Sequence, residues 1–471
     1  MLYRFLRFLT RISVRVFFRR IEVEGVENVP SSGPVLLVPN HPNAVVDALV
    51  VLISLKRPVT LTAKSTLAHI PVIGPIIKAN RVILFHRRKD AAMGADPSKN
   101  PEAIAQCRQR LERGEAILIF PEGQSHSDPK LRPLRTGAAR IALETVRSGQ
   151  APGLLIVPVG LHFPEKDRFR SDVWVRFGKP LDPHRWQADN PESGPKELTA
   201  QMEKRIRDLT LNFERRPDSV LLMWAAEILE PGARPPGRLG VDRSTVSRRL
   251  RLVRLLNEGY RQLKDDQAET IGRLRRRVRA YRLELRRLGI KPSEVYIQMP
   301  VWRVARFVAR ELVIVAVGLP IAAWGVLNHF VPAAIIRIIA VNYSAERDKW
   351  ASNVVFPTMV LIPLFYTLQI TAALFWLPLS WAVLYAVSLP LSGLFAILYR
   401  DRVGNIWQRS RTFFLFLRDP GLRERLGHEG RSIIGELTEL GQRMDQGKAG
   451  PAGSPGDANR GQDSIIDSQG V

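Results

Sequence analysis

Short apolar runs alternate with helix-like segments between Val23 and about Asn212. The clearest of these runs are Pro34–Pro39, Ala116–Phe120 and Leu154–Pro158. Runs of this length are typical of buried strands, and their alternation with helical segments is typical of α/β domains. The pattern therefore predicts an α/β domain in which a central sheet is flanked by helices.

A strongly basic segment follows, from about residue 213 to residue 300. Leucines are interleaved through it with many arginines, which include Arg248, Arg249, Arg251, Arg254, Arg273, Arg275, Arg276, Arg277, Arg279, Arg282, Arg286 and Arg287. This spacing predicts helices. Pro231–Gly237 interrupts any helix that enters it, because proline lacks the backbone donor and glycine loosens the backbone, so we interpret it as a linker.

Two long stretches without charged residues come next, Leu312–Ile336 and Ala351–Tyr399. Both exceed the roughly 20 apolar residues that cross a bilayer. The second is long enough for two passes, with a break at Leu377–Ser380. The first is interpreted as a full span or as a shorter, re-entrant element, because it contains Asn328, His329 and Pro332. We expect two to four passes.

Basic residues flank these apolar stretches on both sides, in the long N-terminal part and at Arg400–Arg402. The preference of Lys and Arg for cytoplasmic loops places both flanks in the cytoplasm and predicts an even number of crossings. We thus expect a multi-pass membrane protein whose N-terminal α/β domain faces the cytoplasm.

The first twenty residues do not resemble a secretory signal. Arginines recur inside the stretch that should be uninterrupted and apolar, namely Arg4, Arg7, Arg11 and Arg15. At helical spacing the arginines share one flank, and apolar residues gather on another: Leu2, Phe5, Leu9, Ile12 and Val16. This pattern favours a helix in the membrane interface, with an amphipathic helix packed on the domain as the alternative.

Six parts follow from these changes in composition along the chain. We predict an amphipathic membrane-interface helix (1–20), an α/β domain (21–215), a basic helical segment (216–305), a transmembrane region (306–400), a cytoplasmic helical tail (401–446) and a disordered tail (447–471). The last part is rich in Gly, Asp, Ser and Gln, a composition that does not support a packed core.

The net charge of +25 and the pI near 10.9 imply partners of opposite sign. The basic segment has no recognisable nucleic-acid module and adjoins the apolar stretches, so we expect it to face anionic lipid headgroups and not nucleic acid. With Cys107 as the only cysteine, no disulfide or thiolate cluster can form within the chain. The scattered histidines show no metal-ligand spacing, and no metal or other cofactor is expected.

Candidate chemistry begins where the first apolar run ends, at His41 and Asp47. Six helical residues rotate about 600°, so the two side chains can meet only if His41 precedes the helix that carries Asp47. Pro42 and Asn43 suit a helix entrance and an N-cap. A carboxylate that fixes the imidazole tautomer would let the other ring nitrogen take a proton from a hydroxyl.

Further polar groups follow other apolar runs. Phe120–Gly123 places a carboxylate and a glycine after a strand, and Pro133–Gly137 leads into a helix. Val82–Arg88 is another predicted strand, and it delivers Arg87 and Arg88, whose planar guanidinium groups can bind phosphate through two hydrogen bonds. Ligands bind outside the carboxyl ends of such strands, so these groups are candidates for one site.

These motifs resemble those of the glycerol-3-phosphate and lysophosphatidate acyltransferase family, and all four of its blocks occur in order between Asn40 and Gly160. The resemblance covers roughly residues 20 to 215. It implies that His41 is the general base, Asp47 its orienting partner, Arg87 or Arg88 the phosphate-binding block, and Glu122 with Gly123 the acceptor site, while Pro158 matches the fourth block.

Five residues separate His41 from Asp47, whereas the commonest form of the family has four. Together with Arg87–Asp90 and the apolar C-terminal part, this spacing resembles the branch that acylates glycerol 3-phosphate or dihydroxyacetone phosphate. By its position after the Phe-Pro-Glu-Gly block, Arg135 is a third candidate for contact with the acceptor phosphate.

The expected activity is therefore acyl transfer from a thioester, acyl-coenzyme A or acyl carrier protein, to the hydroxyl of a phosphorylated glycerol acceptor in phospholipid synthesis. Lysophosphatidate is the alternative acceptor, and a thioesterase or hydrolase in which water replaces the acceptor is the alternative class. The chain lacks the Gly-x-Ser-x-Gly motif of many serine hydrolases, which favours the transferase.

Overall fold

A computed structural model of the chain describes residues 2–69, 74, 77, 81–230, 246–263, 267–296, 300–344 and 346–448. Seven described strands form one sheet with the order β1-β7-β6-β2-β5-β3-β4. The strands are β1 (Arg20–Glu24), β2 (Val35–Pro39), β3 (Val59–Lys64), β4 (Ile83–Phe85), β5 (Ala116–Leu118), β6 (Leu155–His162) and β7 (Asp172–Phe177).

The sheet is mixed. Strands β6, β2, β5, β3 and β4 run parallel, β7 is antiparallel to β6, and β1 is parallel to β7. The predicted apolar runs became β2, β5 and β6, which confirms the α/β class with a central sheet flanked by helices. Strand β7 corresponds to none of the apolar runs named above, and the pattern of apolar residues did not predict its reversed direction.

Helices cover both faces of the sheet. They are α1 (Leu2–Phe17), α2 (Ala44–Ser54), α3 (Asn100–Glu112), α4 (Gly137–Ser148), α5 (Pro183–Asp189) and α6 (Pro195–Leu209). Alternate residues of β2 point into two different cores, Val35 and Leu37 towards α1 and α2, and Leu36 and Val38 towards α3, α4 and α6. Strands buried on both faces explain why the sequence shows continuous apolar runs.

The remaining described helices are α7 (Arg216–Leu229), α8 (Val246–Leu263), α9 (Ala268–Leu288), α10 (Val301–Tyr343), α11 (Arg347–Trp376), α12 (Leu379–Arg418) and α13 (Pro420–Lys448). One core joins α7, α9, the C-terminal part of α12 and α13, so the basic segment and the C-terminal helix pack together. The predicted linker Pro231–Gly237 lies outside the described residues, as does the predicted disordered tail from residue 449 onward.

Helices α10, α11 and α12 are long and apolar enough to cross a membrane, and their large apolar side chains are mostly exposed. The break between α11 and α12 falls at Leu377–Pro378, inside the predicted Leu377–Ser380. An apolar surface of this length is not stable in water, so these helices indicate membrane association.

Both ends of α10 lie near the α/β domain. At its beginning, Glu311 accepts a hydrogen bond from Arg402 at 2.7 Å, and the neighbouring Asp401 pairs with Arg170 of the domain at 2.8 Å. At its end, the carbonyl of Tyr343 accepts a hydrogen bond from Asn353, next to Ser352, which contacts the domain. A straight helix of 43 residues would be about 65 Å long. We infer that α10 bends, which its internal prolines permit.

Candidate active site

His41 lies in the loop that follows β2, directly before α2, which begins at Ala44. Pro42 and Asn43 lie between His41 and the helix. Asp47 is therefore in the first turn of α2, where it can lie beside His41. The Asn40 amide ties the loop to β6 through two hydrogen bonds with the backbone of Leu161, at 2.7 and 3.0 Å. The loop is therefore held at the carboxyl edge of the sheet.

His41 and Asp47 form a hydrogen-bonded pair with 2.8 Å between Nδ1 and Oδ2. The same carboxylate oxygen accepts the backbone N–H of Asn43 at 2.7 Å. With Nδ1–H donated to the carboxylate, Nε2 is the nitrogen that can accept a proton, and no described residue hydrogen-bonds to it. The pairing depends on His41 preceding the helix, which is the arrangement that the spacing required.

Burial raises the pKa of Asp47, whose side chain is 0% exposed. The hydrogen bond and charge of His41 and the N–H of Asn43 oppose this effect and stabilise the carboxylate. The ionised form of Asp47 therefore depends on its two partners. Asn43 occupies the N-cap position, yet its side chain makes no capping bond, contrary to the expectation for an asparagine there.

The imidazole of His41 is also held from one side by an aromatic ring. Phe120 stacks on it with 3.8 Å between ring centroids and an angle of 15° between the planes. Phe120 follows β5, which pairs in parallel with β2, so the register of the two strands brings the ring to the histidine. Stacking and the Asp47 hydrogen bond together leave the imidazole one orientation.

Glu122 is a buried junction between three parts of the site. Its carboxylate accepts the backbone N–H of His41 at 2.7 Å and that of Arg132 at 2.9 Å, and it also bonds to His126 Nε2. His126 is oriented by the N–H of Asp128, which donates to Nδ1 at 3.1 Å. Because both carboxylate oxygens are engaged, this geometry favours a role for Glu122 in holding the catalytic loop over a direct contact with the acceptor.

Lys166 also bridges the His41 loop and the segment that carries His126. Its Nζ donates to the carbonyl oxygen of Pro42 at 2.9 Å and to that of His126 at 3.2 Å. Burial lowers the pKa of Lys166, while the charges of Asp348 and Asp47 raise it. A half-buried ammonium between two backbone carbonyls fixes the distance between the His41 loop and the Glu122 block.

Gly123 brings two of the predicted arginines together. Arg87 donates to the carbonyl oxygen of Gly123 at 3.4 Å, and the side chain of Arg135 packs so closely that a Cβ on Gly123 would lie 2.8 Å from Arg135 Cδ. Gly123 has φ of 72°, a conformation that favours glycine. Arg135 is exposed, whereas Arg87 also pairs with the buried Asp90 through Nε at 2.7 Å.

The remaining predicted residues are Arg88 and Pro158. Arg88 begins a short 3-10 helix, Arg88–Met93, and its side chain lies outside the described part of the chain. Pro158 lies in the buried strand β6, opposite Val38 of β2, and contributes packing at the back of the loop. Sequence reasoning did not assign Phe120, Lys166 or Ser352 to the site, since only the fold brings them to His41.

Nothing in the described residues suggests a metal centre, because no group of three His, Cys, Asp or Glu side chains there could hold an ion. The described groups are His41 with the Asp47 carboxylate and, around Gly123, the exposed Arg135 and Arg87, which pairs with an aspartate; Glu122, next to Gly123 in the chain, bonds to the backbone of His41. Such a set can remove a proton from a hydroxyl and bind an anion next to it.

Residues 20–162 match the family model described as acyltransferase, so the chain contains an acyltransferase domain. The matched segment begins at β1 and ends with β6, and it includes His41, Asp47, Glu122, Gly123 and Arg135.

The relatives of this chain include two named acyltransferases. The chain is 27% identical over 204 residues to glycerol-3-phosphate O-acyltransferase 2 of Saccharomyces cerevisiae, covering 43% of this chain and 26% of that protein. It is 29% identical over 151 residues to a chloroplastic 1-acyl-sn-glycerol-3-phosphate acyltransferase of Arabidopsis thaliana, covering 32% and 38%. The chain thus spans well under half of the length of these two relatives.

Among solved structures, the crystal structure of the 1-acyl-sn-glycerophosphate acyltransferase PlsC from Thermotoga maritima aligns with 23% identity and a TM-score of 0.33. The alignment covers 43% of this chain and 78% of that chain.

Proposed function

We propose that the chain is a membrane-bound O-acyltransferase that moves a fatty acyl group from an acyl thioester to glycerol 3-phosphate or dihydroxyacetone phosphate. The observation that carries this proposal is the 2.8 Å hydrogen bond between His41 Nδ1 and a fully buried Asp47, at the strand edge of an acyltransferase domain. This bond orients Nε2 as the proton acceptor.

The chemistry is a displacement at the thioester carbonyl. The acceptor hydroxyl oxygen bonds to the carbonyl carbon while His41 Nε2 removes the hydroxyl proton. The carbon–sulfur bond then breaks, the electron pair leaves with sulfur, and His41 returns the proton to the thiolate. Asp47 stabilises the imidazolium between these two steps, as a carboxylate does for a catalytic histidine.

The acceptor phosphate is proposed to lie at Gly123. Arg135 and Arg87 meet there, and Arg88 follows Arg87 along the chain. Glu122 accepts the backbone N–H of His41 and is the neighbour of Gly123 in the chain. It therefore links the proposed base to the proposed phosphate site. Lysophosphatidate is the second candidate acceptor, because the relatives include proteins named for either acceptor.

The apolar helices are proposed to make the protein multi-pass, with the α/β domain on the cytoplasmic side. The arginines at the domain-proximal ends of these helices support this orientation, since Lys and Arg are enriched in cytoplasmic flanks. Arg303, Arg306 and Arg310 begin α10, and Arg400 and Arg402 lie on α12 beside the domain.

One experiment tests the activity directly. The purified full chain in detergent is offered labelled acyl-coenzyme A or acyl carrier protein with glycerol 3-phosphate, dihydroxyacetone phosphate or lysophosphatidate, and products are identified by mass. We expect an acylated phosphorylated glycerol from wild type and a loss of at least about 10²-fold in rate for His41→Ala. Wild-type turnover by His41→Ala would refute the mechanism.

The same assay separates the transferase from a hydrolase. A thioesterase would release free fatty acid at a rate that does not depend on the acceptor, whereas a transferase forms ester in proportion to bound acceptor. Free fatty acid as the sole product with every acceptor would contradict the proposal.

A further inference from the structure

The first turns of α11 are buried against the catalytic loop although the rest of this helix is apolar and largely exposed. Ala351 and Val355 are 0% and 1% exposed and belong to the same core as Val46 and Val50 of α2. These residues lie nearly 200 positions beyond the matched acyltransferase segment, which ends at residue 162. A membrane-associated helix thus supplies part of the packing of the catalytic helix.

Ser352 makes the polar contact at this junction. Its hydroxyl accepts the backbone N–H of Val46 at 3.3 Å and donates to the backbone carbonyl of Asn43 at 3.4 Å. The first N–H groups of a helix have no partner within the helix, and the Asn43 side chain makes no cap bond. Ser352 therefore supplies from another helix a contact that α2 lacks.

The two backbone groups held by Ser352 flank a strained residue. Ala44 has φ of 48°, in the left-handed region that residues with a side chain avoid. Asn43, on one side of it, donates its N–H to the Asp47 carboxylate that orients His41. The turn that sets the His41–Asp47 geometry is thus strained and depends on outside contacts to persist.

A second contact at the same end of α11 acts on the same loop. Asp348 is buried, and its charge raises the pKa of Lys166, whose ammonium bridges the carbonyls of Pro42 and His126. One helical turn separates Asp348 from Ser352, so both face the catalytic loop.

From these contacts we propose that α11 is part of the catalytic centre and that Ser352 is a positioning residue, which holds the strained Asn43–Val46 turn and through it the His41–Asp47 pair. This inference rests on the proposed acyl transfer for its kinetic test. By this proposal, contacts made by the membrane-associated helix α11 affect the rate of the chemical step.

The kinetic test compares Ser352→Ala with Ser392→Ala in the full chain. Ser392 is also buried, but its hydroxyl bonds to Leu389 of its own helix, so it is a matched control. Loss of one buried hydrogen-bonding group predicts a kcat for Ser352→Ala lower by roughly five- to tenfold, with both Michaelis constants unchanged. Ser352→Thr, which retains the hydroxyl, should keep most of the rate.

A double variant tests the role of strain. Glycine adopts φ of 48° without cost, so Ala44→Gly should reduce the dependence on Ser352. In the Ala44→Gly background, the decrease in log kcat caused by Ser352→Ala should be at most about half of the decrease that the same substitution causes in the wild-type background. An equal loss in both backgrounds, or a Ser352→Ala kcat equal to that of Ser392→Ala, would overturn the proposal.

A chemical readout separates this proposal from the proposed function. Diethyl pyrocarbonate modifies histidine nitrogens, and the rate at His41 can be followed by mass spectrometry without any acyl transfer. We expect Ser352→Ala, but not Ser392→Ala, to change the rate at His41. If wild type transfers no acyl group, the proposed function is wrong, but the modification experiment still tests the positioning role. Equal modification rates at His41 in Ser352→Ala and Ser392→Ala would refute that role.

Discussion

Two buried carboxylates in the site have different tasks because their partners differ. Asp47 bonds to the imidazole of His41, so it acts on the group that moves the proton. Glu122 bonds to the backbone N–H groups of His41 and Arg132, so it holds the loops that carry the reacting groups. Substitution of either should be damaging, but only Asp47 affects which nitrogen of His41 accepts a proton.

The first prediction concerns Asp47→Asn. An amide cannot supply the negative charge that stabilises the imidazolium, so kcat should fall by at least about 10²-fold with little change in acceptor binding. The matched control is Asp218→Asn, since Asp218 is also buried but bonds to Tyr260 on α8. Its kcat should stay within about threefold of wild type; steady-state kinetics and thermal unfolding check both variants. Equal kcat losses in the two variants would contradict the assigned role.

The second prediction concerns the arginines around Gly123. Loss of a charge-assisted contact with phosphate costs about 1.5–3 kcal/mol, so Arg135→Ala, Arg87→Ala and Arg88→Ala should each raise the acceptor Michaelis constant by about tenfold or more if they bind it. Arg135 gives the cleanest test, because Arg87 also holds Asp90. The measurement is kinetics at saturating donor.

Arg185→Ala serves as the control, since Arg185 is exposed and its ion pair is with Asp189 on the same short helix. Unchanged acceptor Michaelis constants in all three arginine variants would rule out the phosphate contact. So would turnover of an uncharged glyceride in preference to every phosphorylated acceptor.

At the scale of elements, the turn after β5 sets the position of Arg135. It reverses the chain at Gly123, whose left-handed backbone lets Arg135 pack against it. The backbone N–H of Arg135 donates to the carbonyl of Pro121 at 2.8 Å, which closes the loop from the other side. The position of the arginine is therefore set by the turn.

The third prediction is that Gly123→Ala raises the acceptor Michaelis constant several-fold by displacing Arg135. Because alanine is disfavoured in the left-handed conformation of residue 123, the substitution should also lower the free energy of unfolding by about 1–2 kcal/mol. Gly149→Ala is the matched control, because Gly149 has φ of 67° but no atom within 4 Å of an added Cβ. Thermal unfolding should shift similarly for both, whereas kinetics should change only for Gly123→Ala. Equal Michaelis constants for the two variants would show that the contact with Arg135 is unimportant.

At the scale of the whole molecule, the path of α10 determines the number of crossings. Both of its ends lie near the α/β domain, at Glu311–Arg402 and at Tyr343–Asn353. Between them Asn328 bonds to Gln369 of α11 and to Tyr385 of α12, farther along both helices. This path favours a re-entrant α10 and two crossings, by α11 and α12, over three.

The fourth prediction is that Glu346 and Asp419 lie on the side of the α/β domain and Pro378 on the other side. These exposed residues flank α11 and α12, and Cys107 is buried, so single added cysteines can be labelled selectively. In sealed inverted vesicles, a membrane-impermeant maleimide should label Glu346→Cys and Asp419→Cys but not Pro378→Cys. Labelling of Glu346→Cys and Asp419→Cys from opposite sides would contradict an even number of crossings; unlabelled Cys107 confirms that the chain is folded.

The sequence alone was enough to predict the α/β class, the strands β2, β5 and β6, the presence of long apolar helices and the pairing of His41 with Asp47. Each of these leaves a local trace: burial on both faces makes a strand continuously apolar, a bilayer requires long charge-free runs, and the His41–Asp47 spacing is met within one loop and one helical turn. The domain boundaries and the roles of the site residues remain predictions: His41, Asp47, Arg87, Arg88, Glu122, Gly123 and Arg135.

Only the tertiary structure decided which distant groups meet at that pair. The bond of Glu122 to the backbone of His41, the bridge made by Lys166 and the contact of Ser352 with Val46 and Asn43 join residues far apart in the chain, and the reversed direction of β7 has no trace in the apolar pattern. Periodicity reports whether a residue is buried or exposed, but a hydrogen bond depends on the positions of two specific atoms. Those positions result from the packing of the sheet and of α11, and no local pattern in the sequence encodes them.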